Sequence, residues 1–194
     1  MNQKPSKLLN LPNTLSLARV FLAPLVLVFL SLRIDDVTSL PDLAGGRITW
    51  GDLLAGGVFI IAALTDSLDG YIARKHKLIT TMGKFIDPLA DKVLVIAALV
   101  ALVELQRVPA WMVVVIITRE FVVTGLRLVA AADGVTIAAS PRGKIKTVFQ
   151  IIAVSLLILR LPGGMALMWF AMFLTVWSGM DYLKGGAKML MEEE

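Results

Sequence analysis

The chain has 194 residues, of which 57% are hydrophobic and only 18% charged, whereas soluble domains are about 45–50% apolar and about 25% charged. So much apolar surface exceeds what one soluble core of this size can bury and is the reverse of a disordered composition. The absence of cysteine excludes disulfide scaffolds, thiolate zinc sites and cysteine nucleophiles, and the net charge of +4 is spread along the chain rather than gathered into a nucleic-acid patch. The expected class is an all-α integral membrane protein.

In chain order, six apolar segments of near membrane-spanning length lie between polar or Pro/Gly breaks. They run from Leu15 to Leu32, Gly51 to Ala73, Lys84 to Leu105, Pro109 to Ala131, Ile145 to Leu161 and Gly164 to Tyr182. Their apolar runs are continuous and lack the alternation of membrane strands. Short connections leave room for one domain only, residues 1–194. Residues 1–12 read either as a short interfacial segment or as a polar tail. The first apolar run contains Arg19 and ends in Ser31-Leu32-Arg33 with no small-x-small pattern, so it reads as a retained helix rather than a cleaved signal.

Orientation follows from the basic residues in alternate connections. Lys4, Lys7, Arg74, Lys75, Lys77, Lys84, Arg142, Lys144, Lys146, Lys184 and Lys188 fall on one side, against Arg33, Arg47, Arg107 and Arg160 on the other. The rule that positive loops stay inside then places both termini, and the inner ends of the second and third helices, on the cytoplasmic side of the cell membrane.

Ionisable groups within such spans are costly and mark function. Asp66 and Asp69 close the second span, and Asp87 and Asp91 open the third. Spacings of three and four share a helix face, and the connection from Arg74 to Lys84 is short. Four converging carboxylates repel one another unless cations lie between them, and an oxygen-only donor set suits Mg²⁺, Mn²⁺ or Ca²⁺. A lone aspartate at a helix end is more often a cap, lone glycines such as Gly70 and Gly83 terminate or pack helices, and Arg74 alone would count as a positive-inside residue. His76, among lysines, reads as solvated.

Together these positions form the string Asp66-x2-Asp69-Gly70-x2-Ala73-Arg74-x8-Gly83-x3-Asp87-x3-Asp91. It resembles the signature of the CDP-alcohol phosphotransferases, membrane enzymes of phospholipid synthesis, at every fixed position. The resemblance implies six transmembrane helices, a homodimer, and a cytoplasm-facing site holding two divalent ions, Mg²⁺ or Mn²⁺. It further implies that Asp66, Asp69, Asp87 and Asp91 are metal ligands, with Asp91 also the general base. Gly70, Ala73, Arg74 and Gly83 would receive the CDP-linked donor, and Asn13, Thr14 and Arg19 resemble residues near its nucleotide end.

A second cluster lies further on. Arg119-Glu120 and Gly125-Leu126-Arg127 sit in the fourth span, and Ala139-Ser140-x2-Gly143-Lys144-x-Lys146-Thr147-x2-Gln150 opens the fifth. Arg119, Arg127, Lys144 and Lys146 around one cavity would suit a phosphate on the acceptor; the bland reading of the two lysines is a positive-inside loop. This run is similar to the phosphatidylglycerophosphate synthase branch of the family. That branch implies CDP-diacylglycerol as donor, glycerol 3-phosphate as acceptor, and phosphatidylglycerophosphate and CMP as products. Rival readings keep the chemistry with inositol phosphate, serine or phosphatidylglycerol as acceptor, or make the acids an ion pathway. The acids gather in the first half of the chain only, without the duplicated halves common in transporters.

Overall fold

A computed structural model describes residues 11–32, 48–76, 81–132 and 141–191, and the side chains of 17–32, 48–65, 92–130 and 143–180. Six helices follow one another in the described residues: α1 (Leu11–Ser31), α2 (Trp50–His76), α3 (Thr81–Glu104), α4 (Ala110–Ala132), α5 (Pro141–Ile158) and α6 (Gly164–Met191). The six expected segments correspond to them one for one. Several boundaries differ by three residues or more, among them the starts of α1 and α5 and the end of α6. Helix α5 begins at Pro141 rather than Ile145, because proline is favoured at a first helical position, where its missing N–H has no partner to lose. Helix α6 runs past Tyr182 through Lys184 and its neighbouring glycines to Met191. Residues 1–10 of the possible interfacial segment lie outside the described residues, whereas Leu11 and Pro12 belong to α1. Among the described residues, no helix is long and apolar enough to cross a membrane; α4, for instance, carries Arg119, Glu120 and Arg127 within an otherwise apolar sequence.

The chain divides into two compact units, residues 1–101 with 158–160, and residues 102–157 with 161–194. In the first unit, α1 packs on α2. Ala23, Val26 and Leu30 on α1, and Ala55, Phe59 and Ala62 on α2, are buried at intervals of three and four residues, the spacing that lines one helix face. The start of α2 is held by a reciprocal cap: the Thr49 amide donates to Asp52 Oδ2, and the Asp52 amide donates to Thr49 Oγ1, each at 3.1 Å. Two otherwise orphaned donors are thereby satisfied. Gly51 follows from the close approach of α1 to this cap, since a Cβ there would stand 2.4 Å from the Phe29 carbonyl oxygen and 2.9 Å from that of Leu32. The segment 158–160 seats on the same helix, with Leu159 against Gly56 and Arg160 bonded to Asp52 at 2.9 Å.

In the second unit, α4 buries Met112, Val113, Ile116 and Val123, and α6 buries Met168, Ala171, Thr175 and Ser178. The α6 stripe is mostly small, which lets backbones approach closely. Trp111 meets Trp169 with ring centroids 5.4 Å apart, and Phe149 meets Phe170 edge-on at 4.9 Å. Helix α3 ends with the Arg107 amide donating to Leu102 O at 2.8 Å and the Gln106 amide to Val103 O at 2.9 Å. These bonds define a Schellman cap, with Gln106 rather than glycine in its left-handed position at φ 57°.

Candidate functional site

The signature residues occupy two helices. Asp66, Asp69, Gly70, Ala73 and Arg74 lie in the C-terminal part of α2, and Gly83, Asp87 and Asp91 in the N-terminal half of α3. Residues 77–80 between the helices, and the side chains of all eight signature positions, lie outside the described residues, as do those of Asn13, Thr14 and His76. Among the described residues, no group of three or more His, Cys, Asp or Glu side chains could hold a metal. Of the positions expected at the nucleotide end, Arg19 is described, and it is 3% exposed on α1. An arginine buried in an apolar helix must carry its charge to polar groups.

The second cluster is described except for Ala139 and Ser140, which lie outside the described residues, and the structure divides it by burial. Glu120 Oε1 accepts from Nη1 of Arg119 at 3.3 Å and from the ammonium of Lys146. One carboxylate on α4 thus joins a neighbour on its own helix to a lysine on α5. Lys146 is buried and Arg119 and Glu120 are largely so, which makes the trio a polar cluster of two cations on one carboxylate. Gln150, one turn beyond Lys146 on α5, is buried as well.

Arg127 and Lys144, expected around the same cavity, are exposed. Helical geometry supplies the reason. Eight residues turn Arg127 about 80° around α4 from Arg119, and two residues place Lys144 about 160° around α5 from Lys146. Spacing along a helix therefore separates the four cations into an inner pair and an outer pair.

The structure adds partners that the sequence motifs leave out. Arg119 Nη2 donates to Ser178 Oγ on α6 at 2.8 Å, and the stem of Arg119 lies against Gly179, where an added Cβ would stand 3.0 Å from Arg119 Cγ. Ser178 is the last member of the small-residue stripe of α6, and in the sequence nothing but that periodicity distinguishes it. Beside this contact, Val114, Val115, Val122, Val123, Val176 and Met180 with Thr118 and Arg119 line a largely apolar groove of about 370 Å³. A largely buried arginine and a buried lysine brought together on Glu120, the arginine also reaching a hydroxyl, are suited to binding a small anionic group such as a phosphate.

Residues 9–177 match the family model described as CDP-alcohol phosphatidyltransferase. The CDP-diacylglycerol–glycerol-3-phosphate 3-phosphatidyltransferase of Bacillus subtilis is 48% identical over 188 residues, covering 89% of this chain and 93% of that protein. The enzyme of the same name from Rickettsia felis is 36% identical over 188 residues, covering 92% and 96%. A protein named probable phosphatidylglycerophosphate synthase from Mycobacterium tuberculosis is 37% identical over 183 residues, covering 92% and 82%. The match spans all six helices up to the small-residue stripe of α6 and reaches the signature and the Glu120 cluster alike, so the chain belongs to the CDP-alcohol phosphatidyltransferase family.

Proposed function

We infer that this chain transfers the phosphatidyl group of CDP-diacylglycerol to glycerol 3-phosphate, giving phosphatidylglycerophosphate and CMP. The observation that carries the reading is a relative of that named activity that is 48% identical and matched over 93% of its own length. The side chains agree with it. A phosphorylated acceptor needs cations, and Arg119 and Lys146 form a cationic pair on Glu120.

In the reaction, the acceptor hydroxyl oxygen attacks the phosphorus bonded to the diacylglycerol, the bond from that phosphorus to the CMP oxygen breaks, and its electron pair leaves with CMP. Asp91 takes the hydroxyl proton as general base. Arg74 presents a planar fork of donors to the pyrophosphate, while Gly70, Ala73 and Gly83 leave space for the donor beside the helix backbones. Asn13, Thr14 and Arg19 receive its nucleotide end. Arg119 and Lys146 bind the acceptor phosphate, and the exposed Arg127 and Lys144 attract it. Positioning and charge neutralisation supply most of the catalysis in such transfers.

The donor set fits a metal. Asp66, Asp69, Asp87 and Asp91 offer only carboxylate oxygens, which suit two ions of Mg²⁺ or Mn²⁺. When bound, the ions neutralise charge on the pyrophosphate and on the departing phosphate.

The six helices are membrane spans in this reading, with both termini and the reaction on the cytoplasmic side of the cell membrane and two copies forming a homodimer. Two observations support a lipid surround. Phe21, Ile61, Leu64, Val114, Val129 and Phe173 are all more than half exposed, a density of large apolar surface that water does not tolerate. Thr65, Thr147, Ser155 and Thr175 turn their hydroxyls back onto carbonyls four residues earlier, satisfying them without solvent.

The test is CMP release by purified protein in detergent supplied with CDP-diacylglycerol, Mg²⁺ or Mn²⁺, and single alcohols. Release with glycerol 3-phosphate is expected, and not with glycerol, serine or inositol phosphate. Turnover with another alcohol alone would replace the acceptor, and no CMP with any would end the reading.

A further inference from the structure

We propose that Ser178 and Gly179, on α6, are positioning residues for Arg119 and act through it on the acceptor phosphate. The proposal rests on the reading of Arg119 as an acceptor-binding residue.

Arg119 is held from two directions. Its Nη1 reaches Glu120 on its own helix at 3.3 Å, and its Nη2 reaches Ser178 Oγ at 2.8 Å. Ser178 is 1% exposed and donates its own hydroxyl proton to the Thr175 carbonyl at 3.3 Å. That bond fixes the hydroxyl rotor, so its lone pairs are available to the guanidinium. The side chain is also shaped from below. A Cβ at Gly179 would lie 3.0 Å from Arg119 Cγ and 3.3 Å from Nε, tighter than most packed contacts, so an added side chain would press the arginine stem out of its place by a few tenths of an ångström.

The choice of a hydroxyl has an electrostatic consequence. A second carboxylate at position 178 would bring a further negative charge against the guanidinium and oppose a phosphate. Serine orients Arg119 without adding that charge. A long side chain that is already ordered also loses less entropy when the anion arrives. Thr175, one turn earlier on the same buried stripe, differs instructively: its hydroxyl donates to Ala171 O on its own helix at 2.6 Å, so it shares the packing of Ser178 without its contact to Arg119.

Steady-state kinetics of the full-length protein in detergent, with CDP-diacylglycerol and glycerol 3-phosphate varied separately, test this. Ser178→Ala is expected to raise KM for glycerol 3-phosphate about tenfold, the scale of one hydrogen bond to a charged group. The KM for CDP-diacylglycerol and kcat should stay within about twofold, because binding of one substrate alone is affected. Ser178→Thr, which keeps the hydroxyl, should recover most of the loss, and Gly179→Ala should act like Ser178→Ala. Thr175→Val should leave both constants unchanged. The effects of Arg119→Ala and Ser178→Ala should not add in the double variant. If Arg119→Ala raises the acceptor KM while Ser178→Ala leaves it at the parent value, the positioning role is wrong and the acceptor reading stands. If Arg119→Ala itself leaves that KM unchanged, the acceptor reading of Arg119 fails, and this proposal with it. Should Gly179→Ala not fold, the Ser178→Ala and Ser178→Thr pair decides alone.

Discussion

Arg160 donates its Nε–H to Oδ2 of Asp52 at 2.9 Å across 108 positions of sequence. Asp52 is 97% enclosed, caps the start of α2 through Thr49, and receives this second charge-assisted bond on the same oxygen. Arg160 stands in the left-handed region at φ 52°, and the Leu161 amide donates to Leu156 O at 2.8 Å, as in a helix cap that ordinarily places glycine there. An arginine thus occupies a position that ordinarily takes glycine, and there its side chain meets a buried carboxylate.

Asp52→Ala should therefore lower stability by about 1–3 kcal/mol, from the lost cap and the lost ion pair. Arg160→Ala should be worse than Arg160→Gly by about 1 kcal/mol, because alanine loses the pair and keeps the backbone strain that glycine relieves. Thermal midpoints in detergent give the order, and equal midpoints for the two Arg160 variants would remove strain from the account.

Three glycines of α2 should respond differently to alanine. At Gly51 the new Cβ meets the backbone oxygens of Phe29 in α1 and of Leu32 just after it, at 2.4 and 2.9 Å, which cannot move without parting the helices, so a loss of about 2–4 kcal/mol is expected. At Gly56 it meets Leu159 Cδ2 at 2.6 Å, the end of a flexible side chain, and the cost should be smaller. At Gly57 nothing lies within 4 Å, and alanine should stabilise by about 0.5–1 kcal/mol through helix propensity. Midpoints of the three single variants rank them.

Glu120 is the shared anion of Arg119 and the buried Lys146. Removing one partner of a buried pair leaves a charge less well compensated, so Glu120→Gln should destabilise by about 3–5 kcal/mol, while Lys146→Met added to it should recover part of that loss. A double-mutant cycle should give a coupling of at least about 1 kcal/mol. Additive effects would mean that the bond contributes nothing.

The signature predicts a division between binding and rate. Asp66→Ala, Asp69→Ala and Asp87→Ala should abolish CMP release, and chelation with EDTA should do the same to the parent protein until Mg²⁺ or Mn²⁺ is restored. Asp91→Asn should lower kcat by about a hundredfold or more, the contribution of a general base, with CDP binding measured by calorimetry retained. Normal turnover of Asp91→Asn would take the base role from this residue.

The helices and the signature were legible in the residues themselves, because both are local patterns. Apolar runs broken by Pro and Gly report where helices begin and end, and carboxylates three and four residues apart report a shared helix face whatever the rest of the chain does. The same local rule, carried to finer angles, already separates Lys146 from Lys144 and Arg119 from Arg127. Long-range pairing was not legible. That Arg119 finds Ser178, 59 residues on, and Arg160 finds Asp52, 108 residues back, depends on which helices pack and at what register. Many registers satisfy the same apolar periodicity, and only the packed tertiary structure selects the one in which a small-residue stripe on α6 brings a hydroxyl to the guanidinium on α4.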